Sequence, residues 1–381
     1  MAGTIPTVSD AGKIEQHAES LNDPIEKLRY LRQATASRRS HRHLNNAVRW
    51  MASVILIAII VPLGSHASFS RQAAYSPNTS MTRQSRPDFP NVWLVEQSVQ
   101  SEIYSNGLRV ENLLAVSNQP RTYSLLSRGP RGDRGPVRSQ PAGIVFHTTE
   151  SEEVPFEARQ SRTIKRIGRE LLLYVRNRRA YHFLIDRFGG VHRVVVESDT
   201  ANHAGNSVWA DSRWSYLDLN ASFLGVAFEA RTLANQPPIN QAQIHAAKVL
   251  TEMLRSKYRI LPENCVTHAQ VSVNPDNNKL GWHTDWGSNF PFKDIGLPEN
   301  YEQPNPSLYL FGFGYDATYM KSTCPSLWKG LVQAEERVRE AAAERGFSVA
   351  AYTKSLQKKY REQISILRNR SANEENEYEP N

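Results

Sequence analysis

Residues 181–196, which read YHFLIDRFGGVHRVVV, carry the strongest fold signal in the chain. The run from Tyr181 to Ile185 has the composition of a buried strand, Gly189 and Gly190 predict a tight turn, and the valine-rich run to Val196 predicts a returning strand. Three other histidine-bearing segments, 146–150, 202–205 and 267–270, surround this hairpin in the sequence, and a fourth, 281–287, adds a carboxylate. Histidines and one acid at the ends of strands are the residue types of an open metal site.

Strand and helix patterns alternate around the hairpin. Residues 142–146 and 223–229 read as apolar strands, whereas apolar residues recur at helical spacing over 164–175 and 244–258. This alternation predicts an α/β fold with a mixed central β-sheet flanked by helices.

The remaining composition divides the chain into segments. We expect a cytoplasmic tail (1–46), a transmembrane signal-anchor (47–67), a linker (68–88), a small β module with a loop (89–139), the α/β domain (140–305), a C-terminal helical region (306–370) and an acidic tail (371–381).

The predicted membrane segment contains the only long apolar run, Trp50–Leu63. Counted from Ala47 to Ala67, with Arg49 reaching the headgroups, it is just long enough to cross a bilayer. Arginines crowd its N-terminal side, so the positive-inside rule places the tail in the cytoplasm and the rest outside. Two alternatives stay open: Ser65-His66-Ala67 resembles a signal-peptide cleavage site, and the run could be a buried helix.

Charge and cysteine content limit the class of protein. The 381 residues carry a net charge of +8, which favours an anionic partner. Basic residues interleaved with aromatics are not found in the folded part, so we expect no nucleic-acid partner. The two cysteines, Cys265 and Cys324, exclude a disulfide framework and a four-thiolate zinc site.

The order of these motifs resembles the type-2 zinc N-acetylmuramoyl-L-alanine amidases, which include the peptidoglycan recognition proteins. The resemblance covers about residues 140–293 and rests on the strand ending at His147, the Tyr181 hairpin, Asn202-His203-Ala204-Gly205, His268 and the His283-Thr284-Asp285 segment. It implies a Zn²⁺ ion held by His147, His268 and Asp285, with Tyr181 as the site tyrosine and His203 as a substrate-groove histidine. We also expect Asn202, next to His203, and Thr148, next to His147, to bind the substrate.

Physical chemistry agrees with these roles. Three protein ligands leave one position of a tetrahedral zinc ion open, and such a site favours hydrolysis. If the segment is extended, His283 and Asp285 face the same way, so His283 could act on the developing oxyanion or the leaving amine. His283 stands where relatives often carry Lys, and Ala227 where many bacterial relatives carry Glu, so Glu229 on the same strand face is the expected substitute.

The sequence leaves several alternatives open. Cys324, in a Cys-Pro context, competes with Asp285 as third ligand. The preferred function is a membrane-anchored amidase that cleaves peptidoglycan between N-acetylmuramic acid and L-alanine, in a single-pass protein of the bacterial cytoplasmic membrane with its domain periplasmic or extracellular. The alternative is a non-catalytic protein that binds peptidoglycan in the same groove.

Overall fold

The computed structural model describes residues 89–128, 134–231, 239–315 and 328–377. The predicted membrane segment 47–67, its flanking tail and linker, and Cys324 all lie outside these ranges. In the described part of the chain, no helix combines the length and apolar character needed to cross a membrane. Residues 89–381 form one compact unit, and all the strands and helices of the described ranges belong to it.

Fourteen strands are assigned within the described ranges. In chain order they are β1 (Leu94–Gln97), β2 (Ser101–Tyr104), β3 (Arg109–Glu111), β4 (Tyr123–Ser127), β5 (Arg134–Arg138), β6 (Gly143–Thr148), β7 (Phe183–Ile185), β8 (Val191–Arg193), β9 (Trp209–Ala210), β10 (Trp214–Tyr216), β11 (Phe223–Phe228), β12 (Cys265–Thr267), β13 (Lys279–Leu280) and β14 (Gly314–Tyr315).

Eight of these strands form the main sheet, in the order β1-β2-β3-β8-β7-β11-β6-β12. Strands β7, β11, β6 and β12 run parallel to one another, whereas β7 and β8 form the antiparallel hairpin that the sequence predicts. The mixed central sheet is therefore confirmed. A second sheet has the order β5-β4-β10-β9, and β13 pairs with β14.

Seven α-helices accompany the strands in the described ranges. They are α1 (Ser161–Asn177), α2 (Leu219–Ser222), α3 (Gln241–Tyr258), α4 (His268–Val271), α5 (Pro306–Tyr309), α6 (Lys329–Glu344) and α7 (Val349–Glu377). Short 3-10 helices cover Ala158–Gln160, Pro262–Asn264 and Asn300–Glu302.

Helices α1 and α3 cover opposite faces of the main sheet. Leu171 and Val175 of α1 pack in one cluster with Leu184 and Ala227. The α3 helix packs against the other face, where side chains such as Phe146, Val226 and Phe228 point. Because side chains alternate along a strand, Ala227 and its parallel partner His147 share the α1 face.

The segment expected as a small β module, 89–139, supplies strands to both sheets of the unit. Strand β3 pairs parallel with β8, which extends the main sheet by three strands. Strands β4 and β5 instead pair with β10 in the second sheet. A buried ion cluster fixes the first connection, because Arg193 of β8 contacts Glu102 of β2 and Glu197, each at 2.9 Å.

The C-terminal helices pack on the part of the α/β domain that carries His268. Leu308, Trp328, Leu331 and Tyr360 form a cluster with Ala269, Val273 and Leu280. Strand β14 also pairs with β13, inside the insertion that separates His268 from Asp285. Helix α7 extends to Glu377, past the expected start of the acidic tail at 371.

Candidate metal centre

His147 lies near the carboxyl end of β6 and is completely buried. Its Nδ1 is 3.2 Å from Oδ2 of Asp285, and its Nε2 is 3.1 Å from Nδ1 of His203. Burial, reinforced by repulsion from His268, lowers the pKa of His147 to about 4. The imidazole is therefore neutral near pH 7, the form that binds a metal ion.

His268 is the first residue of α4 and follows β12 directly. A capping box between Thr267 and Gln270 fixes the start of this short helix. The Nδ1 atom of His268 lies 2.8 Å and 3.1 Å from the two carboxylate oxygens of Asp285, while its Nε2 is 3.4 Å from the carbonyl oxygen of Ala204. The β6 and β12 strands thus deliver two imidazoles to one edge of the sheet.

Asp285 reaches these imidazoles from a loop that Trp286 anchors. The Trp286 ring is fully buried against Phe228 and Phe290, and the Tyr301 hydroxyl donates to the Trp286 carbonyl at 2.7 Å. Burial alone would raise the pKa of Asp285. Attraction to His268 and hydrogen bonds with both imidazoles outweigh it, so the pKa stays well below its usual range.

The outer nitrogens of the imidazoles face other groups. Nε2 of His268 lies 3.4 Å from the Ala204 carbonyl oxygen, Nε2 of His147 lies 3.1 Å from Nδ1 of His203, and Nε2 of His203 lies 3.3 Å from the Phe223 carbonyl oxygen. Burial holds the pKa of His203 well below its usual range, so this ring is neutral. The Nδ1 atoms of His147 and His268 face Asp285, where they either share protons with its carboxylate or are free to bind a metal ion.

Three potential ligand atoms therefore face one another. The Nδ1 atoms of His147 and His268 and a carboxylate oxygen of Asp285 lie within 4.8 Å of each other. Ligand atoms about 2.0–2.2 Å from a tetrahedral zinc ion lie roughly 3.2–3.6 Å apart. The separations of 3.2 Å and 2.8 Å between the imidazole nitrogens and the carboxylate are close to this range, so the donor set fits a zinc ion.

The residue order and this geometry agree with the family comparison. Residues 137–288 match the family model described as N-acetylmuramoyl-L-alanine amidase, and this range contains all three ligand candidates. The segment belongs to that amidase family. No curated protein matches the chain significantly.

Solved structures with a similar domain come from bacteria and an insect. The amidase LysC from Clostridium intestinale URNW is 21% identical, with 48% of this chain and 93% of that chain covered and a TM-score of 0.25. AmiD from E. coli, solved with anhydro-N-acetylmuramic acid-L-Ala-D-gamma-Glu-L-Lys, is 18% identical over 63% and 97% of the two chains, with a TM-score of 0.31. Drosophila peptidoglycan recognition protein SD is 20% identical over 42% and 84%, with a TM-score of 0.26.

Two predicted catalytic residues of the amidase domain flank the ligand candidates. The Tyr181 ring lies 5.0 Å from the His147 ring, and Tyr181 has a left-handed φ of 64°, unusual for a bulky residue. The His283 ring stacks on His268 at 4.5 Å with an interplanar angle of 16°. Both rings therefore lie beside the three ligand candidates, and their catalytic roles stay predictions.

Glu229, the third predicted catalytic residue, lies just beyond β11 against helix α1. Its Oε2 accepts a hydrogen bond from the Arg187 backbone at 3.2 Å, and a Cβ added to Gly168 would approach that oxygen to 2.9 Å. Burial raises the pKa of Glu229 to about 7. Within the described ranges, no hydrogen bond or ion pair connects Glu229 with the ligand candidates.

The predicted substrate-binding residues occupy different positions. His203 is buried behind His147 and orients it through the bond described above. Asn202 is exposed and donates from its side chain to the Arg178 carbonyl at the end of α1. The Thr148 hydroxyl is buried and donates to Glu150 at 2.8 Å.

The orienting contact of His203 was missed from the sequence, although one signal pointed to it. Gly225 lies in the middle of β11, and a Cβ there would come within 2.6 Å of the His203 ring. A glycine inside a strand often marks such a close approach. His182 and Arg121 belong to the same buried group of side chains. Arg121 is buried, and its guanidinium lies 2.7 Å from Nε2 of His182.

Proposed function

We propose that this chain is a zinc-dependent amidase that hydrolyses the amide between N-acetylmuramic acid and L-alanine of the peptidoglycan stem peptide. The amidase family match supports the reaction class. The single observation that supports a metal mechanism is the convergence of two imidazole nitrogens and one carboxylate within 4.8 Å.

Each residue has a defined part in this proposal. His147, His268 and Asp285 would bind the ion, while His203 and the Ala204 carbonyl hold the two imidazoles in the binding tautomer. Held by these three residues, a zinc ion would supply Lewis acidity toward the amide carbonyl and would lower the pKa of an attacking water.

The rings of Tyr181 and His283, which flank the ligand candidates, would then act on the substrate. The Tyr181 hydroxyl is suited to donate a hydrogen bond to the oxygen that becomes negative in the transition state. His283 is suited to pass a proton to the leaving amine, because an imidazole both accepts and donates protons and its ring stacks on that of His268. Glu229 is the remaining candidate for proton transfer, although its contacts with Arg187 and Gly168 favour a role in packing.

We also propose that residues 47–67 anchor the protein in the bacterial cytoplasmic membrane, with the amidase domain periplasmic or extracellular. The apolar run and the arginines before it support this arrangement. A reporter fused after residue 381 tests it: an exported reporter such as alkaline phosphatase should be active. Activity of a cytoplasmic reporter at the same position would contradict the topology.

Hydrolysis is tested with purified full-length protein and a disaccharide tetrapeptide from peptidoglycan. Mass spectrometry should detect the free disaccharide and a peptide with an unblocked L-alanine, and prior chelation should abolish both until zinc is restored. Products that form equally well after chelation would contradict the zinc mechanism. Tight binding without cleavage in the zinc-loaded protein would instead favour the non-catalytic peptidoglycan-binding protein.

A further inference from the structure

A second concave site lies at the opposite edge of the main sheet from the metal centre. The cavity measures about 280 Å³ and is bordered by Ala142, just before β6, and by Asn264, just before β12. His147 and His268 lie at the other ends of these same strands. At about 3.3 Å per residue the two sites are on the order of 15 Å apart, so they are separate.

Aromatic rings and arginines dominate the wall of this cavity. Tyr123, Trp214 and Tyr258 are half-buried in it, and Arg138, Arg213 and Arg259 are exposed at its mouth. The volume is at the lower limit for small-molecule sites, enough for about one sugar ring.

The charges at the cavity are unbalanced. Asp211 lies in the wall, but its carboxylate already accepts from the Tyr216 hydroxyl at 2.7 Å, the Asn264 amide at 3.2 Å and the backbone N–H groups of Arg213 and Trp214. Within the described ranges, none of the three arginines at the mouth forms an ion pair. The cavity therefore presents positive charge at its mouth, while the Asp211 carboxylate in its wall is already engaged.

Two arginines are placed beside aromatic rings rather than acids. The Arg213 guanidinium lies 6.0 Å from the Trp214 ring centroid, so a ligand that stacks on the ring meets a cation next to it. Arg259 ends α3 with a left-handed φ of 57°, a position where glycine is the common choice. Its guanidinium lies 3.9 Å from the centroid of the Phe89 ring, which borders the mouth from outside the cavity wall and holds the cation there.

Asn264 adds an unsatisfied acceptor to the floor. Its amide nitrogen donates to the Ala142 carbonyl and to Asp211, which fixes the orientation of the amide group. Its Oδ1 is buried and lacks a hydrogen-bond partner among the described residues. A hydroxyl or N–H group entering the cavity would supply one, which recovers the free energy lost when the acceptor is buried.

We propose that this cavity binds a sugar that carries a carboxylate. The flat rings suit the apolar face of a pyranose, the arginines suit the carboxylate, and Asn264 suits a hydroxyl or amide donor. The inference does not rest on the proposed hydrolysis, because none of these residues contacts the metal centre.

Titration calorimetry with the purified full chain tests the site, using N-acetylmuramic acid and N-acetylglucosamine as probes. The two sugars share the ring and the acetamido group and differ by the lactyl carboxylate. N-acetylmuramic acid should bind at least tenfold more tightly. Equal affinities, or no binding of either sugar, would overturn the proposal.

Matched variants locate the binding. Trp214→Ala and Arg213→Gln should each weaken N-acetylmuramic acid binding at least tenfold, whereas Trp93→Ala and Arg169→Gln, at exposed positions outside the cavity, should leave it unchanged. His147→Ala should also leave it unchanged. Binding that is lost in His147→Ala but kept in Arg213→Gln would place the sugar at the metal centre and contradict the cavity site.

Inorganic phosphate separates a sugar site from a general anion site. The inhibition constant of phosphate against N-acetylmuramic acid binding should be at least tenfold larger than the dissociation constant of the sugar. Equal competition would show that the arginines bind any anion and would overturn the sugar assignment. If Trp214→Ala does not fold, as judged by circular dichroism, Arg213→Gln and Arg138→Gln decide the question.

Discussion

Two buried ionic clusters in the same unit differ in the source of their positive charge. At the β2–β8 junction, Glu102 and Glu197 surround Arg193, which supplies a permanent cation at 2.9 Å from each. At the candidate metal centre, Asp285 instead faces two imidazoles, whose Nδ1 atoms lie 3.2 Å and 2.8 Å away. A guanidinium keeps its proton, whereas an imidazole nitrogen can exchange its proton for a metal ion. We therefore expect the first cluster to serve stability and the second to serve binding.

Removing the charge of Asp285 should have the largest effect of any single substitution in either cluster. Asp285→Asn keeps the shape of the side chain but removes the anionic ligand, so we expect zinc affinity and hydrolysis to fall by about 10³-fold or more. Competition with a chromophoric chelator measures the affinity. Asp276→Asn, at an exposed position of the same segment, is the control, and equal zinc affinity in the two variants would contradict the assignment.

Removing the cation of the other cluster should affect folding and leave zinc binding intact. Arg193→Met removes the buried cation that Glu102 and Glu197 share. It leaves them with the Tyr104 hydroxyl at 2.6 Å and the half-exposed Lys257 at 3.5 Å, which should lower the free energy of unfolding by about 3–5 kcal/mol. Urea denaturation measures this change. Arg109→Met breaks an exposed pair with Glu111 and should cost about 1 kcal/mol or less. Should the Arg193 variant lose zinc affinity while its stability stays unchanged, the division between the two clusters would be wrong.

The strands and helices that local patterns specify were predictable from the sequence. The Tyr181 hairpin, the strand ending at His147 and the helical runs at 164–175 and 244–258 all have strong alternation or helical periodicity, and the structure contains each of them. The approach of His147, His268 and Asp285 followed from the family resemblance, because no local pattern brings residues 138 positions apart together.

Long-range pairing was not predictable from the same patterns. The parallel contact of β3 with β8 joins residues about 80 positions apart, and the residues involved carry no signal for a particular partner strand. The packing of α6 and α7 beside α4 is likewise a long-range contact that no local pattern specifies. His203 was expected in a substrate groove, yet Gly225 leaves room for its ring behind His147.

His203 provides an intermediate test, because it acts on the metal centre through His147. His203→Phe removes the acceptor for Nε2 of His147 and should weaken zinc binding about 10- to 100-fold, the usual range for an orienting residue. Chelator competition measures it again. His203→Gln, which can still accept from His147, should recover part of the affinity. Wild-type affinity in the Phe variant would exclude an orienting role.

Substitution of Glu229 should have the smallest effect on the protein. Among the described residues, Glu229 is a third type of buried carboxyl group, because neither an arginine side chain nor a metal-ligand candidate pairs with it. Its pKa of about 7 in the folded protein exceeds the ordinary value of 4.5, so the folded state favours the protonated form. Its contribution to stability is full below pH 4.5 and is lost as the pH rises through 7, a change of at most about 3 kcal/mol.

The Glu229→Gln variant should abolish this part of the pH dependence. Urea denaturation between pH 4.5 and 7.5 compares it with the wild type and with Glu152→Gln, at an exposed position. The wild type and Glu152→Gln should show the same dependence of stability on pH, and only Glu229→Gln should differ from them. An unchanged slope in Glu229→Gln would show that Glu229 is ionised in the folded protein.

Anomalous X-ray diffraction at the zinc edge is the most direct measurement of the central claim. In crystals of the full chain grown with zinc, we predict one strong anomalous peak about 2.0–2.2 Å from Nδ1 of His147, Nδ1 of His268 and a carboxylate oxygen of Asp285. A map in which these side chains are ordered and no peak lies between them would contradict the metal centre.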